Sequence, residues 1–287
     1  MARAMEDSRR RPLIGLLTDF GDLDTYVGVM KAIIAGIAPN TTVIDISHQV
    51  PPGDVRQAAF QLWQAAGQFP AGAVLVVVVD PGVGTGRRAV ACQWRQLTLV
   101  GPDNGVFSYL LAIENGGASV ALEHARFHRT PVSDTFHGRD VFAPVAAHLA
   151  GGAALKDLGP AVDGLQQFDL PALERHGADG LSGEVVHVDG FGNLITTLGR
   201  LRRDADGCAL APWLPKAEPG VFHGTGAAVL PDGLELPLMN TFGDVPAGEP
   251  VAYIGSEGLL EIGLHGGSAA KRFSLAVGAP IQLRFRG

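Results

Sequence analysis

The chain has 287 residues, of which 46% are hydrophobic and 18% are charged. Its 22 Lys and Arg residues against 29 Asp and Glu residues give a net charge of −7, which argues against a nucleic-acid partner, because phosphate contacts call for a basic surface. No apolar run approaches the roughly 20 residues that cross a bilayer, so we expect no membrane partner. The N-terminus does not resemble a signal peptide, and Cys92 and Cys208 show no disulfide or zinc spacing, so we expect a cytoplasmic protein.

The first half of the chain alternates predicted strands and helices. Strands are predicted over 13–18, 42–47, 73–79, 89–94 and 97–100, and helices over 24–37, 54–67, 106–113 and 140–150. The β-branched run over 73–79 is typical of a parallel strand that is covered on both faces. This order predicts an α/β domain with a central, mostly parallel sheet over residues 12–165.

The second half has a different pattern. Residues 160–180 are rich in Gly and Pro and lack periodicity, which indicates a connector. Short apolar runs then follow between Gly, Pro and Asp turns, with no convincing helix among them. We therefore predict a small antiparallel β-barrel or sandwich over residues 180–287.

Two carboxylates follow predicted parallel strands directly, at the edge where open sheets bind ligands. Asp19 ends the first strand in the sequence TDFGD, and it could accept hydrogen bonds from the two hydroxyls of a ribose. The alternative is that Asp19 or Asp24 only caps the next helix. Asp80 follows the strand over 73–79.

The segment DPGVGTGRR (80–88) resembles a dinucleotide loop only superficially. Arg87 occupies the place of the third glycine, and the residues that follow alternate like a strand, so we reject that fingerprint. Arg87 is close enough around the loop to pair with Asp80, either in an active site or as a structural ion pair. His137, in DTFHGRD, is either part of the same site or a capping residue, and His48 is equally ambiguous.

Two turns of the second half also carry polar and aromatic side chains. DGFGN joins Asp189, Phe191 and Asn193, which could bind and stack on a base, although a plain hairpin turn is the alternative. The turn in YIGSEGLLEI exposes Ser256 and Glu257. No histidine or carboxylate spacing indicates a metal site, so we predict no metal and no cofactor.

Seven segments together resemble one family. They are TDFGDLDTYVGVMK, DISHQVPPGDV, VVVVDPGVGTGRR, VGPDNG, DTFHGRDVFAP, VDGFGNLITT and IGSEGLLEI. In this order they resemble the motifs of the adenosine-forming S-adenosylmethionine hydrolases, also called SAM hydroxide adenosyltransferases. The same superfamily includes the fluorinating and chlorinating enzymes, which attack the same substrate carbon with halide.

The resemblance implies an α/β domain followed by a β-barrel, in a homotrimer or dimer of trimers that binds S-adenosyl-L-methionine between the first domain of one subunit and the second domain of its neighbour. By matched motif positions, it implies a water-activating triad of Asp80, Arg87 and His137 and a ribose-binding carboxylate, Asp19. It also implies that Asp189 binds the methionine ammonium, that Phe191, Asn193 and Phe242 bind the adenine or stack on the substrate, and that Ser256 and Glu257 lie near the methionine carboxylate. Glu257 stands where the fluorinating enzyme has an arginine.

Three other functions compete with hydrolysis. A halide-dependent lyase is disfavoured, because the halogenating branch has Tyr-type and Ser-type residues in place of Asp80 and Gly138, and the fluorinating enzyme has a long insertion that residues 89–100 lack. A non-catalytic sensor of S-adenosylmethionine or a nucleoside would use the same pocket only to bind. A sugar-phosphate-binding protein is weakened by the absence of a clustered basic site.

Overall fold

The computed structural model describes residues 11–204 and 207–286. The chain divides into two compact units, the first ending at Phe168 and the second beginning at Asp169. Among the described residues, no helix is long and apolar enough to cross a bilayer.

The first unit is an α/β unit with a six-stranded sheet. Its strands are β1 (Leu13–Thr18), β2 (Thr42–Ser47), β3 (Val74–Val78), β4 (Ala89–Trp94), β5 (Leu97–Pro102) and β6 (Ser119–Ala121), and its helices are α1 (Tyr26–Ile37), α2 (Val55–Ala66), α3 (Ser108–Ile113) and α4 (Ala143–Ala150). The strand order is β2-β1-β3-β5-β4-β6, with β2, β1, β3 and β5 mutually parallel and β4 antiparallel to its neighbours. The predicted mostly parallel sheet is therefore confirmed.

The core of this unit follows from the patterning of β3. All five residues of β3 are buried. Val76 and Val78 face α1 and α4 in one hydrophobic cluster, and the two-residue strand period turns Leu75 and Val77 to the opposite face. Helix α2 contacts β1 and β3 as well as α3, and it begins after Asp54, whose side chain accepts a hydrogen bond from the Gln57 amide.

The structure adds three features to the predicted elements of this unit. Strand β6 was not predicted, because three residues are too short to show a period. The helix predicted over 140–150 is a π-helical turn, Gly138–Phe142, that continues into α4. Short 3₁₀ turns occupy Ala125–Phe127 and Leu155–Asp157.

The second unit is built around a closed barrel. Its strands are β7 (Leu173–Arg175), β8 (Gly180–Val188), β9 (Leu194–Thr196), β10 (Leu201–Asp204), β11 (Gly207–Leu210), β12 (Gly220–His223), β13 (Thr225–Val229), β14 (Glu235–Met239), β15 (Pro250–Ile254), β16 (Leu260–Leu264) and β17 (Pro280–Arg286). Seven of them run in the order β17-β13-β14-β15-β16-β9-β8, and β17 pairs with β8 to close the ring. Strands β10, β11 and β12 form a separate sheet. The β-barrel implied by the resemblance is confirmed.

Three details of this unit differ from the sequence prediction. Strand β7 lies inside the predicted connector and pairs with β8. The β14–β15 pair is parallel, whereas every other barrel pair is antiparallel. A short helix, α5 (Ala269–Phe273), lies where no helix was predicted, and the Ser268 side chain caps it by accepting from the Lys271 amide.

Candidate active site

Asp19 and Asp80 lie at the carboxyl ends of adjacent parallel strands. Strands β1 and β3 pair in parallel up to Thr18 and Val78, so the residues that follow leave the sheet at the same edge. This edge is where open parallel sheets bind ligands. The predicted juxtaposition of the two carboxylates is therefore a consequence of strand order and register.

Asp19 does not cap the following helix. Its carboxylate accepts a hydrogen bond of 2.8 Å from the backbone amide of Gly53, whereas α1 begins after Thr25 without a side-chain cap. The capping alternative for Asp19 and Asp24 is therefore wrong. Asp19 and Gly53 both line the pocket described below.

Asp80 and Arg87 form a forked ion pair. The Arg87 Nε lies 2.9 Å from Oδ1 and 3.0 Å from Oδ2 of Asp80, and Nη2 donates to Oδ2 as well. Both side chains are nearly buried, at 5% exposure for Asp80 and 9% for Arg87. A carboxylate offers about four acceptor positions, so Asp80 keeps the capacity to bind a further donor.

His137 completes this cluster. Its Nδ1 lies 2.7 Å from Nη2 of Arg87. A guanidinium has only donors, so Nδ1 must be the acceptor, and a neutral His137 then carries its proton on Nε2. Burial, followed by the charge of Arg87, lowers the pKa of His137 below its usual value, against the opposing effect of nearby carboxylates. His137 is therefore a hydrogen-bond donor through Nε2 at neutral pH.

Asp140 fixes the turn that carries His137. This carboxylate is fully buried and accepts hydrogen bonds from the side chains of Arg129 and Arg139 and from the backbone amide of Ser133. Burial raises the pKa of Asp140, but these donors outweigh it and hold that pKa below its usual value. The turn is therefore fixed by a buried, charged anchor three residues after His137.

A cavity of about 430 Å³ opens beside these groups. Asp19, Asp80 and His137 line it together with an aromatic wall. The wall consists of Phe20, Tyr26 and Phe136, whose ring centroids lie 5.2 to 5.8 Å apart. We did not predict this wall, although all three aromatics stand within the quoted motifs. Sequence spacing alone does not reveal that they meet.

His48 supports the pocket from outside its lining. Its side chain is 6% exposed, with Nδ1 2.9 Å from the Thr18 hydroxyl, and its carbonyl accepts from the Gly21 amide. It thereby ties the end of β2 to the turn that follows Asp19.

In the second unit, Asp189 organises the DGFGN turn. Its Oδ1 accepts from the backbone amides of Phe191 and Asn193, and its Oδ2 accepts from the Asn193 side chain at 2.8 Å. The Phe191 side chain is 82% exposed. The turn thus fixes the Asn193 amide and presents an uncovered aromatic ring.

Phe242 and Asn193 approach each other over Gly263. A Cβ added at Gly263 would lie 2.4 Å from the Phe242 ring and 2.9 Å from the Asn193 oxygen. The Phe242 ring also packs on Tyr253, at 4.7 Å between centroids. Asp189, Asn193 and Phe242 are therefore brought together. Within the described residues, neither Ser256 nor Glu257 forms a hydrogen bond or ion pair with them. Ser256 is exposed and Glu257 is half-buried in the β15–β16 turn.

No group of three or more His, Cys, Asp or Glu side chains suited to a metal ion occurs in the part of the chain that the structure describes.

Two family models match most of the chain. The SAM hydroxide adenosyltransferase N-terminal domain matches residues 14–159, and the C-terminal domain of the same family matches residues 183–282. The chain belongs to the SAM hydroxide adenosyltransferase family. The resemblance drawn from the seven motifs is confirmed.

The chain is similar to two named proteins and one solved structure. It is 43% identical to the (R)-S-adenosyl-L-methionine hydrolase of Thermus thermophilus over 93% of this chain and 97% of the relative. It is 29% identical to the fluorinase of an Actinoplanes species over 94% of this chain and 96% of the relative. It also resembles the crystal structure of an uncharacterized conserved protein from Thermotoga maritima, with a TM-score of 0.82, 33% identity and coverage of 94% and 99%.

Within the SAM hydroxide adenosyltransferase family, two structural details bear on the halogenating branch. Strands β4 and β5 are joined by a two-residue turn, Arg95 and Gln96, which leaves no insertion between them. A Cβ at Gly138 would lie 3.2 Å from both the Met30 sulfur and the Phe136 ring. A side chain at this position would therefore require Met30 and Phe136 to shift by a few tenths of an ångström.

Proposed function

We propose that this chain hydrolyses S-adenosyl-L-methionine to adenosine and L-methionine by in-line attack of water on the ribose C5′. The observation that carries the proposal is the contact of Asp80, Arg87 and His137 at the wall of a pocket that also holds Asp19. The hydrolases among the relatives are named for the (R) form of the substrate, and we include that sulfonium epimer in the proposal.

The sulfonium already makes methionine a neutral leaving group, so no acid is needed to expel it. Water must instead be oriented and relieved of a proton. The oxygen forms a bond to C5′, the C5′–S electron pair passes to sulfur, and the proton passes to Asp80. His137 donates from Nε2 to orient the water, and Arg87 holds Asp80 and His137 in place. A positioned base contributes typically ~100 to 10,000-fold, and fixed geometry about 7 to 11 kcal/mol.

Substrate binding divides between the two units. Asp19 binds the ribose hydroxyls, for which its second oxygen is available. Asp189 accepts three hydrogen bonds of about four possible, which leaves one for the methionine ammonium. Asn193 and Phe191 contact the adenine, Phe242 stacks on the substrate, and Ser256 with Glu257 lies near the methionine carboxylate.

In this proposal, the first-unit residues and the second-unit residues that bind one substrate molecule belong to different subunits. The domain over 12–165 carries the triad, and the domain over 180–287 completes the site of a neighbour in a homotrimer. This arrangement is the one that the family resemblance implies, and the side chains of Leu23 and Phe191, exposed at 101% and 82%, are free to take part in such a contact. The reaction needs no metal or cofactor, and a cytoplasmic location stays a prediction.

The deciding experiment incubates the purified protein with resolved (R) and (S) epimers in low-halide buffer made with 18-oxygen water. Heavy oxygen at C5′ of adenosine, with equimolar methionine, is the expected result. Intact substrate with saturable binding would instead support the sensor, and a halogenated nucleoside formed in chloride would support the lyase.

The oligomer is tested separately by light scattering after size-exclusion chromatography. A trimer mass is expected, together with restored activity when Asp80→Asn and Asn193→Ala subunits are mixed, because mixed trimers contain some intact interface sites. A monomer with full activity would overturn the shared-site arrangement.

A further inference from the structure

One turn contacts both ends of the loop that carries Asp80 and Arg87. The turn consists of Asp103 and Asn104, directly after β5. At the entry to the loop, Asn104 Nδ2 donates to the carbonyl of Val79 at 2.9 Å, and its Oδ1 accepts from the Val106 amide at 3.2 Å. The second bond fixes the orientation of the amide, so its donor side faces Val79.

The hydrogen bond to Val79 lies beyond the last residue of β3 that pairs with a neighbouring strand. The registered pairs of β3 end with Val78 opposite Thr18 and with Val76 opposite Val100. Val79 is fully buried and immediately precedes Asp80. Asn104 therefore extends the hold on the backbone to the residue next to the catalytic carboxylate.

Asp103 holds the exit of the same loop. Its carboxylate is 2% exposed and accepts from Nε of Arg88 at 2.8 Å and from Nη2, while its backbone amide donates to the Arg88 carbonyl at 2.9 Å. Its other oxygen accepts from the Gln166 amide at 2.7 Å. Arg88 directly follows Arg87, as Val79 directly precedes Asp80. Asp80 and Arg87 therefore each lie next to a residue that this turn holds.

We propose that Asp103 and Asn104 are positioning residues that set the distance between Asp80 and Arg87 by clamping the loop at Val79 and Arg88. The inference rests on the proposed function for its kinetic consequence, but the clamp itself is a property of the loop. A displacement of about 1 Å at a reacting group can cost on the order of 100-fold in rate, so a loosened clamp acts mainly on kcat.

The test compares Asn104→Asp, which removes the donor at nearly constant volume, with Arg88→Met, which keeps the stem of a side chain that is 43% exposed. We expect kcat to fall roughly 10 to 100-fold with KM changed less than about 3-fold. Arg87 helps to lower the pKa of His137, so Arg88→Met should also move the acidic limb of the kcat profile to higher pH. Arg88→Lys should recover part of the loss.

Leu62→Val serves as the control, because it perturbs the buried face of α2 away from the loop. Hydrogen exchange of residues 79–88 supplies a readout that does not need turnover, and the clamp predicts faster exchange there in both test variants but not in Leu62→Val. Unchanged kcat and unchanged loop exchange in Asn104→Asp and Arg88→Met would overturn the clamp. A wild type that does not hydrolyse the substrate, with faster loop exchange in the variants, would overturn the proposed function and leave the clamp standing.

Discussion

At the scale of single residues, the hydrogen-bond directions of the triad separate the roles of Asp80 and His137. Asp80→Asn should lower kcat by at least about 100-fold, because the amide cannot take a proton from water. His137→Gln should stay within about 10-fold of wild type, since a side-chain amide can donate as Nε2 does, whereas His137→Ala should lose more. Single-turnover kinetics with S-adenosyl-L-methionine measures all three. Near-normal turnover in Asp80→Asn would exclude it as the proton acceptor.

The protonation of His137 also sets a pH limit. Arg87 can donate to Nδ1 only while His137 is neutral, and burial holds the pKa of His137 below its ordinary value of about 6.5. We therefore expect the midpoint of the acidic limb of the kcat/KM profile to lie below pH 6.5. In His137→Gln this limb should vanish. A limb above pH 6.5 in the wild type would show that His137 does not sit in the environment described.

At the scale of elements, two glycines of the loop that carries Asp80 and Arg87 form a matched pair. Gly84 has φ of +76°, and an added Cβ would lie 2.6 Å from the Asp134 carbonyl, whereas Gly86 has no atom within 4 Å of such a Cβ. Gly84→Ala should separate the loop from the turn that carries His137, cost roughly 1 to 3 kcal/mol of stability and reduce kcat. Gly86→Ala should leave both nearly unchanged. Thermal unfolding and steady-state kinetics distinguish the two variants, and equal effects would contradict the packing argument.

Elements with a strong period or a buried apolar run could be predicted from the sequence, and those defined by pairing could not. The buried apolar run predicts β3, and the periodic segment that follows Asp54 predicts α2. Both predicted ranges agree with the observed bounds within a residue or two. Strand β10, with the sequence LRRD, has no such pattern and exists because β11 pairs with it. The candidate site shows the same division: the spacing of Asp80 and Arg87 suggested their pairing, but the meeting of Phe20, Tyr26 and Phe136 depends on how β1, α1 and the 135–138 turn pack.

At the scale of the whole molecule, the architecture was predictable because each half of the sequence carries one consistent pattern, and the closure of the barrel was not. Closure depends on β17 pairing with β8, nearly 100 residues earlier in the chain, and no local pattern specifies this partner. The parallel β14–β15 pair has the same origin, since strand direction is set by the connection and not by composition.

The histidines of the first unit make its stability depend on pH. Burial is the leading cause of a lowered pKa in His128, His137 and His148, so each binds fewer protons folded than unfolded just below its ordinary value of about 6.5. These histidines therefore contribute a decrease in the free energy of unfolding as pH drops from 7.5 to 5.5. Asp140, with a lowered pKa, acts only below its ordinary value of 3.8, outside this window.

This dependence can be measured as the urea midpoint at pH 7.5 and 5.5 in the wild type and in His148→Gln. His148 lies outside the triad and packs against Phe127, so its replacement should reduce the pH difference without removing activity. Glu261 of the second unit has a raised pKa, chiefly through burial, and its effect on stability has the opposite sign. Comparing the pH difference of the wild type with that of His148→Gln therefore isolates the contribution of His148. An equal pH difference in both proteins would mean that His148 does not destabilise the acidified first unit.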